Sequence, residues 1–288
     1  MFWDLNVPYE PQAVANTELK KTIAILHEFG YGAVAYNVTY SGKEATSKPN
    51  PIKPLKLSEI GIKSAQTTTG RSSLHPFISA NVAAWTDGFQ QLSRLTVIAD
   101  DTSANYQLTS ANSNAASYDL IAVQPTNEKL FQSACSLFDV DIVSLDMSNR
   151  LPFFIKGPTV NGALQRGVFF EIAYGAAIRD ATARRHLISN AAALVRATKG
   201  KNILITSEAQ KAMEIRGPYD VINLATIFGM TREQAKNALD ANCRAVVLHA
   251  ATRRQTHRGI LSMESAASLS AASTWKLGQG EETEAMQE

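Results

Sequence analysis

Seven short apolar runs recur along the chain, at residues 2–7 (FWDLNV), 33–39 (AVAYNVT), 95–100 (LTVIAD), 119–124 (DLIAVQ), 141–147 (DIVSLDM), 168–174 (VFFEIAY) and 202–207 (NILITS). They are rich in Val, Ile, Leu and Phe and show little strict alternation, the pattern of strands covered on both faces. Between most of them the apolar period lengthens to that of a helix. TELKKTIAILHEFG (17–30) closes on Gly30 as a C-cap, and NEKLFQSACSLF (127–138) is a second helix. DATARRHLISNAAALVRAT (180–198) is a third, with Asp180 as N-cap and Leu187, Ile188, Ala191, Leu194 and Val195 on one stripe. After the last strand come PYDVINLATIFG (218–229), ended by Gly229, and TREQAKNALDANCRAVVLHAATRR (231–254), opened by Thr231 and read as one helix. RAVVLHA within it also reads as an eighth strand. The helical spacing of positions 235, 239, 243, 246 and 247 favours helix.

Strand–helix alternation repeated about seven times predicts an α/β fold with a parallel sheet. Seven to eight units predict a closed barrel, an architecture that uses about 250 residues as one domain. Residues 1–260 form that domain in this reading. Residues 41–91, rich in Ser, Thr, Pro and Lys, form a long low-complexity insertion after the second strand, partly disordered, with a short helix near 76–85. Residues 261–288 read as a flexible acidic tail.

The net charge of +2 conceals an asymmetry. Residues 150–260 carry 17 Lys and Arg against 7 Asp and Glu, whereas residues 1–149 carry 10 against 14. A basic segment of this kind fits a polyanion partner or a solvated basic face. The two cysteines, Cys135 and Cys243, fit buried thiols in a reducing compartment. No apolar run approaches the roughly 20 residues of a membrane-spanning helix, and the first residues lack the pattern of a signal peptide.

GYGAVA (30–35) matches a dinucleotide fingerprint, but a helix precedes it and a strand follows, the reverse of what that fingerprint needs. There is no Walker loop, nucleophile elbow, H-E-x-x-H or zinc spacing, and none of the seven runs contains His or Lys. The strand ends offer Asp4, Asn6, Asp101, Asp146 and Glu171 instead. These are either oxygen ligands for Mg²⁺ in a phosphoesterase or capping groups at turns. EIAYGAAIRDATARR (171–185) then combines Glu171 and Tyr174 with Arg179, Arg184 and Arg185 at a helix N-terminus. Arginine there opposes the helix dipole, so the cluster calls for an external anion. Arg216, Arg244, Arg253, Arg254 and Arg258 continue the basic series. Arginines without interleaved aromatics favour contact with the backbone of structured RNA, with an acidic protein partner as the alternative.

These residues also carry a resemblance. DLNVP (4–8), LHEFGYGAVAYN (26–37), YDLIAVQPTNEKLFQSAC (118–135), the run 141–185, EIRGPYDVINLATIFGM (214–230) and NCRAVVLHAATRR (242–254) resemble the roughly thirty-kilodalton protein subunit shared by ribonuclease P and ribonuclease MRP. The resemblance implies a TIM-barrel-like fold related to the polymerase-and-histidinol-phosphatase barrels. It implies a noncatalytic role in which RNA removes the 5′ leader of precursor tRNA, with rRNA processing through the MRP form. Mg²⁺ would then sit at the RNA centre, with no catalytic residue, metal or cofactor on this chain. The implied partners are the RNA and neighbouring subunits, including a small ferredoxin-like one, with precursor tRNA met indirectly. The implied location is the nucleus and nucleolus. Where the related metalloenzymes open with H-x-H, this chain has Asp4 and Asn6.

Overall fold

The computed structural model describes residues 1–11, 13–42, 44–56, 89–100, 113–257 and 261–262. Seven parallel strands hydrogen-bond in sequence order: β1 (Phe2–Pro8), β2 (Tyr31–Ser41), β3 (Gln90–Ala99), β4 (Leu120–Pro125), β5 (Ile142–Ser144), β6 (Phe169–Ala173) and β7 (Ile203–Thr206). The sheet curls until its ends meet. The Ser207 N–H donates to Asp4 Oδ1 at 3.1 Å and the Glu208 N–H to the Asn6 carbonyl at 3.0 Å, so the barrel is nearly closed. This is the α/β barrel expected from strand count, and all seven apolar runs are strands.

Helices cover the outside: α1 (Ala13–Glu28), α2 (Glu44–Ser47), α3 (Ser113–Ala116), α4 (Glu128–Ser136), α5 (Gly157–Gln165), α6 (Gly175–Arg179), α7 (Ala181–Thr198), α8 (Pro218–Ile227), α9 (Arg232–Leu239) and α10 (Ala241–Gln255). Local chemistry sets their ends. Gly30 at φ +87° lets α1 turn directly into β2. Asp180 Oδ2 accepts from the Ala183 N–H at 2.7 Å and starts α7. Thr231 and Gln234 form a reciprocal capping box at α9.

Three boundaries depart from expectation. The helix read as 231–254 breaks at Asp240 (φ −132°, ψ −82°), giving α9 and α10. The five-residue α6 separates β6 from α7, so Arg179 ends one helix while Arg184 and Arg185 begin the next. Strand β3 starts at Gln90 and not near 95, inside the expected insertion. The insertion's near end also packs on the barrel: Gln91 exchanges hydrogen bonds with the Leu55 backbone at 2.8 and 2.9 Å, and Ile52 and Leu55 rest against buried residues. The helix expected near 76–85 and residues 263–288 of the expected tail lie outside the described residues, whereas Leu261–Ser262 at the tail's start pair antiparallel with Thr256–His257.

The barrel interior has two halves. Towards the N-terminal ends of the strands it is apolar, with Trp3, Ala33, Leu120, Ile142, Phe169 and Leu204 in one cluster. Helix α10 closes that end with Cys243, Val246, Val247 and Ala250, which explains why the run RAVVLHA is both apolar and helical. Towards the C-terminal ends the inward positions become polar. That end is where barrels of this architecture carry their sites.

Candidate functional site

The inward positions of the upper barrel are Asn6 on β1, Asn37 on β2, Arg94 and Thr96 on β3, Glu171 on β6 and Thr206 on β7. Arg94 and Glu171 are both 0% exposed. They form a bidentate pair, Nη1 to Oε1 and Nη2 to Oε2, each at 2.6 Å. Arg94 also donates to the Leu5 carbonyl at 2.8 Å and to Thr96 Oγ1 at 3.2 Å. Glu171 Oε1 further accepts from Thr206 Oγ1 at 2.7 Å and Asn6 Nδ2 at 3.1 Å. Asn6 Oδ1 accepts from Asn37 Nδ2 at 2.8 Å, and Asn37 Oδ1 from Thr96 Oγ1 at 2.7 Å. Burial works to raise the Glu171 carboxyl, but the Arg94 guanidinium overcomes it and holds the group below its ordinary value. Both of its oxygens accept hydrogen bonds, so the carboxylate is committed to this internal network.

Above this network lies a cavity of about 110 Å³ lined by Asn6, Asn37, Gln124, Asp146, Arg179 and Glu208, among others. Burial raises the Glu208 carboxyl to about 7, with the negative charge of Glu171 adding to the effect. Burial likewise raises Asp4 to about 6, against hydrogen bonds from Ser207 and the Asn6 N–H. Among the described residues, no group of three or more His, Cys, Asp or Glu side chains is placed to hold a metal ion. Asp101 lies outside the described residues. Asp146 is exposed and accepts from the Ser148 backbone and the Asn149 side chain. The described carboxylates weighed as Mg²⁺ ligands, Asp4, Asp146 and Glu171, therefore do not form a metal-holding group among the described residues.

Residues 1–255 match the family described as RNase P subunit p30. The chain belongs to that family.

Ribonuclease P protein subunit p30 of Mus musculus is 40% identical over 261 residues, 91% of this chain and 90% of the mouse protein. A probable ribonuclease P protein subunit 3 of Schizosaccharomyces pombe is 36% identical over 262 residues, 91% of this chain and 99% of that protein. Ribonuclease P/MRP protein subunit RPP1 of Saccharomyces cerevisiae is 28% identical over 265 residues, covering 90% and 83% of the two chains. The fold matches a chain in a cryo-EM structure of archaeal ribonuclease P with mature tRNA, at a TM-score of 0.60 and 13% identity, covering 91% of this chain and 98% of that one.

For this member of the p30 family, the structure sorts the basic series by what holds each guanidinium. Arg253 is turned inward, its side chain 4% exposed, and donates to both oxygens of the buried Asp141 at 3.1 and 2.9 Å. His249 Nδ1 meets the same carboxylate at 2.9 Å. Burial would raise the Asp141 carboxyl, but the bonds from His249 and Arg253 outweigh it and hold it low. Arg253 is thus a tie between α10 and the start of β5, not an open cation. Arg254 reaches Asp119 at 3.0 Å, Arg244 reaches Asp240 one turn earlier at 2.6 Å, and Arg179 pairs with the nearly buried Glu214 at 2.7 Å. Arg216 is held at the Met213 and Ile215 carbonyls, its backbone fixed by the hydroxyls of Tyr174 and Tyr31. Arg184 gives only its Nε, to the Ala177 carbonyl at 2.8 Å. Arg185 is exposed and has no hydrogen-bond or ion-pair partner among the described residues. Arg258 lies outside them. Of that basic series, the cations left open among the described residues are therefore Arg184 and Arg185, near the start of α7.

Sequence reasoning missed Arg94, the residue that fills the barrel centre. A signal was present: Arg94 stands two positions before Thr96 on the same strand face, so extending the strand backwards points it inward beside Glu171.

Proposed function

We propose that this chain is a noncatalytic protein subunit of the ribonuclease P/MRP ribonucleoprotein. It binds and organises the catalytic RNA and neighbouring subunits for removal of precursor-tRNA 5′ leaders and for rRNA processing. The observation that carries this reading is the buried Arg94–Glu171 pair. Where a barrel enzyme would assemble ligands or a base, this chain has a neutralised, fully bonded network. Function moves outward to the rim, where Arg184 and Arg185 present guanidinium groups near the Asp180-capped start of α7. Mg²⁺ in such a particle belongs to the RNA. Subunit partners include a small ferredoxin-like protein, and the particle resides in the nucleus and nucleolus.

A salt titration of binding to transcribed ribonuclease P RNA tests the reading. Arg184→Ala with Arg185→Ala weakens binding and flattens the dependence of log K on log salt by about 0.7–0.9 for each phosphate no longer neutralised. Unchanged affinity and slope would overturn it.

A further inference from the structure

The loop from β5 to α5 holds two adjacent phenylalanines with opposite fates. Phe153 is buried, its ring stacked on Phe131 at 5.0 Å between centroids. Leu151 and Ile155 also pack against the core. Phe154, between anchored neighbours, is 84% exposed. The loop is pinned at both ends, so Phe154 stands on a braced platform. Asn190 of α7 donates to the Asn149 carbonyl at 2.8 Å, and Lys156 pairs with Glu128 at 2.7 Å.

The segment around Phe154 is basic in sequence. Residues 148–160 contain Arg150 and Lys156 and no acidic residue. Arg150 is exposed and has no partner among the described residues. Helix α5 begins at Gly157 with no side-chain cap and no acid in its first turn, so its positive end is open beside the ring. The loop follows the C-terminal end of β5, on the rim that carries Arg184 and Arg185. A large exposed ring costs solvation unless something covers it. Lys156 is held by Glu128, but Arg150 has no carboxylate partner among the described residues and selects a negatively charged cover over an acid-poor protein face.

We propose that Phe154 is a stacking platform for an unpaired RNA base, with Arg150 and the start of α5 receiving the adjoining phosphates. Flat aromatic faces bind splayed-out bases, and flanking cations follow the backbone. This adds a base-reading contact to a basic series that otherwise addresses only phosphates, and it rests on the RNA-binding reading above. The stack orders one single-stranded nucleotide in a loop or bulge and fixes the rotation of the barrel on the RNA.

The experiment compares Phe154→Ala, Phe154→Trp and Arg150→Ala with the unchanged full-length chain. Affinity and salt slope are measured on transcribed ribonuclease P RNA, with nucleotide-resolution 2′-hydroxyl acylation of that RNA. Phe154→Ala weakens binding about 5- to 150-fold, the equivalent of one base–aromatic stack, with the salt slope unchanged. It also restores acylation at one unpaired nucleotide that the unchanged chain protects. Phe154→Trp retains affinity and protection. Arg150→Ala lowers the slope instead. Thermal melting of each variant checks folding, which an 84% exposed side chain should not disturb. Phe154→Ala binding RNA like the unchanged chain overturns the inference, as does a defect confined to capture of a partner subunit. If the unchanged chain itself shows no salt-dependent RNA affinity, the RNA-binding reading fails first.

Discussion

Replacing Arg94 by Met leaves Glu171 in the barrel with its counter-ion removed. Breaking one partner of a buried pair costs about 3–5 kcal/mol. Glu171 can escape the penalty by taking a proton, and from an ordinary value of 4.5 that costs roughly 3.4 kcal/mol at pH 7, at about 1.36 kcal/mol per unit. At pH 5 the same route costs only about 0.7 kcal/mol. The Arg94→Met defect is therefore large at neutral pH and shrinks by roughly 2–3 kcal/mol on acidification. Arg94→Met with Glu171→Gln removes both charges and keeps an acceptor oxygen for Asn6 and Thr206, so it recovers more than half of the lost stability at pH 7. Urea unfolding followed by far-ultraviolet circular dichroism at pH 5 and pH 7 measures all three quantities. An Arg94→Met defect below about 0.5 kcal/mol at pH 7, or one independent of pH, refutes the assignment of the barrel centre.

Three further outcomes follow from the same structure. Arg253→Ala takes the main cation from the buried Asp141 and lowers stability by about 3–5 kcal/mol, while leaving the salt slope of RNA binding unchanged; a changed slope would return Arg253 to the RNA surface. Glu208 titrates near 7 when folded and near 4.5 when unfolded, so its protonated form stabilises the fold. That contribution is complete below the lower value and is lost as pH rises through the higher one, so Glu208→Gln flattens the fall in melting temperature between pH 5 and pH 7. A Cβ on Gly175 would lie 2.5 Å from the Ser207 carbonyl oxygen and 2.8 Å from that of Glu208, so Gly175→Ala pushes α6 off the end of β7. Its melting temperature drops by an amount equivalent to about 1–3 kcal/mol; an unchanged value would mean that this junction is loosely packed.

How much of this was legible in the chain depended on the range of the interaction. The seven strands were, because residues buried on both faces show an unbroken apolar run. The caps at Asp180 and Thr231 were, because their bonds span three residues. The start of β3 was not, since QQLSR carries polar groups that are satisfied only by distant partners: Gln91 by Leu55, Ser93 by Asp119 and Arg94 by Glu171. The break at Asp240 was hidden because the apolar stripe continues across it from α9 to α10. The basic series was visible as composition, but not its division. Asp141 stands 112 positions before Arg253, and Asp119 stands 135 before Arg254. No local pattern distinguishes those arginines from Arg185.

The central claim is that this barrel organises RNA and does no chemistry of its own. It is tested most directly by precursor-tRNA cleavage in a particle reconstituted with variant forms of this chain. Asp146→Asn with Glu208→Gln removes the mouth carboxylates not committed to the folding network, and turnover at saturating substrate should stay within about twofold of the unchanged particle, a barrier change of less than about 0.5 kcal/mol. Arg184→Ala with Arg185→Ala should raise the protein concentration needed for half-maximal activity and bring the fall in activity to lower salt. Abolished turnover in the carboxylate variant, with assembly intact, would contradict the account.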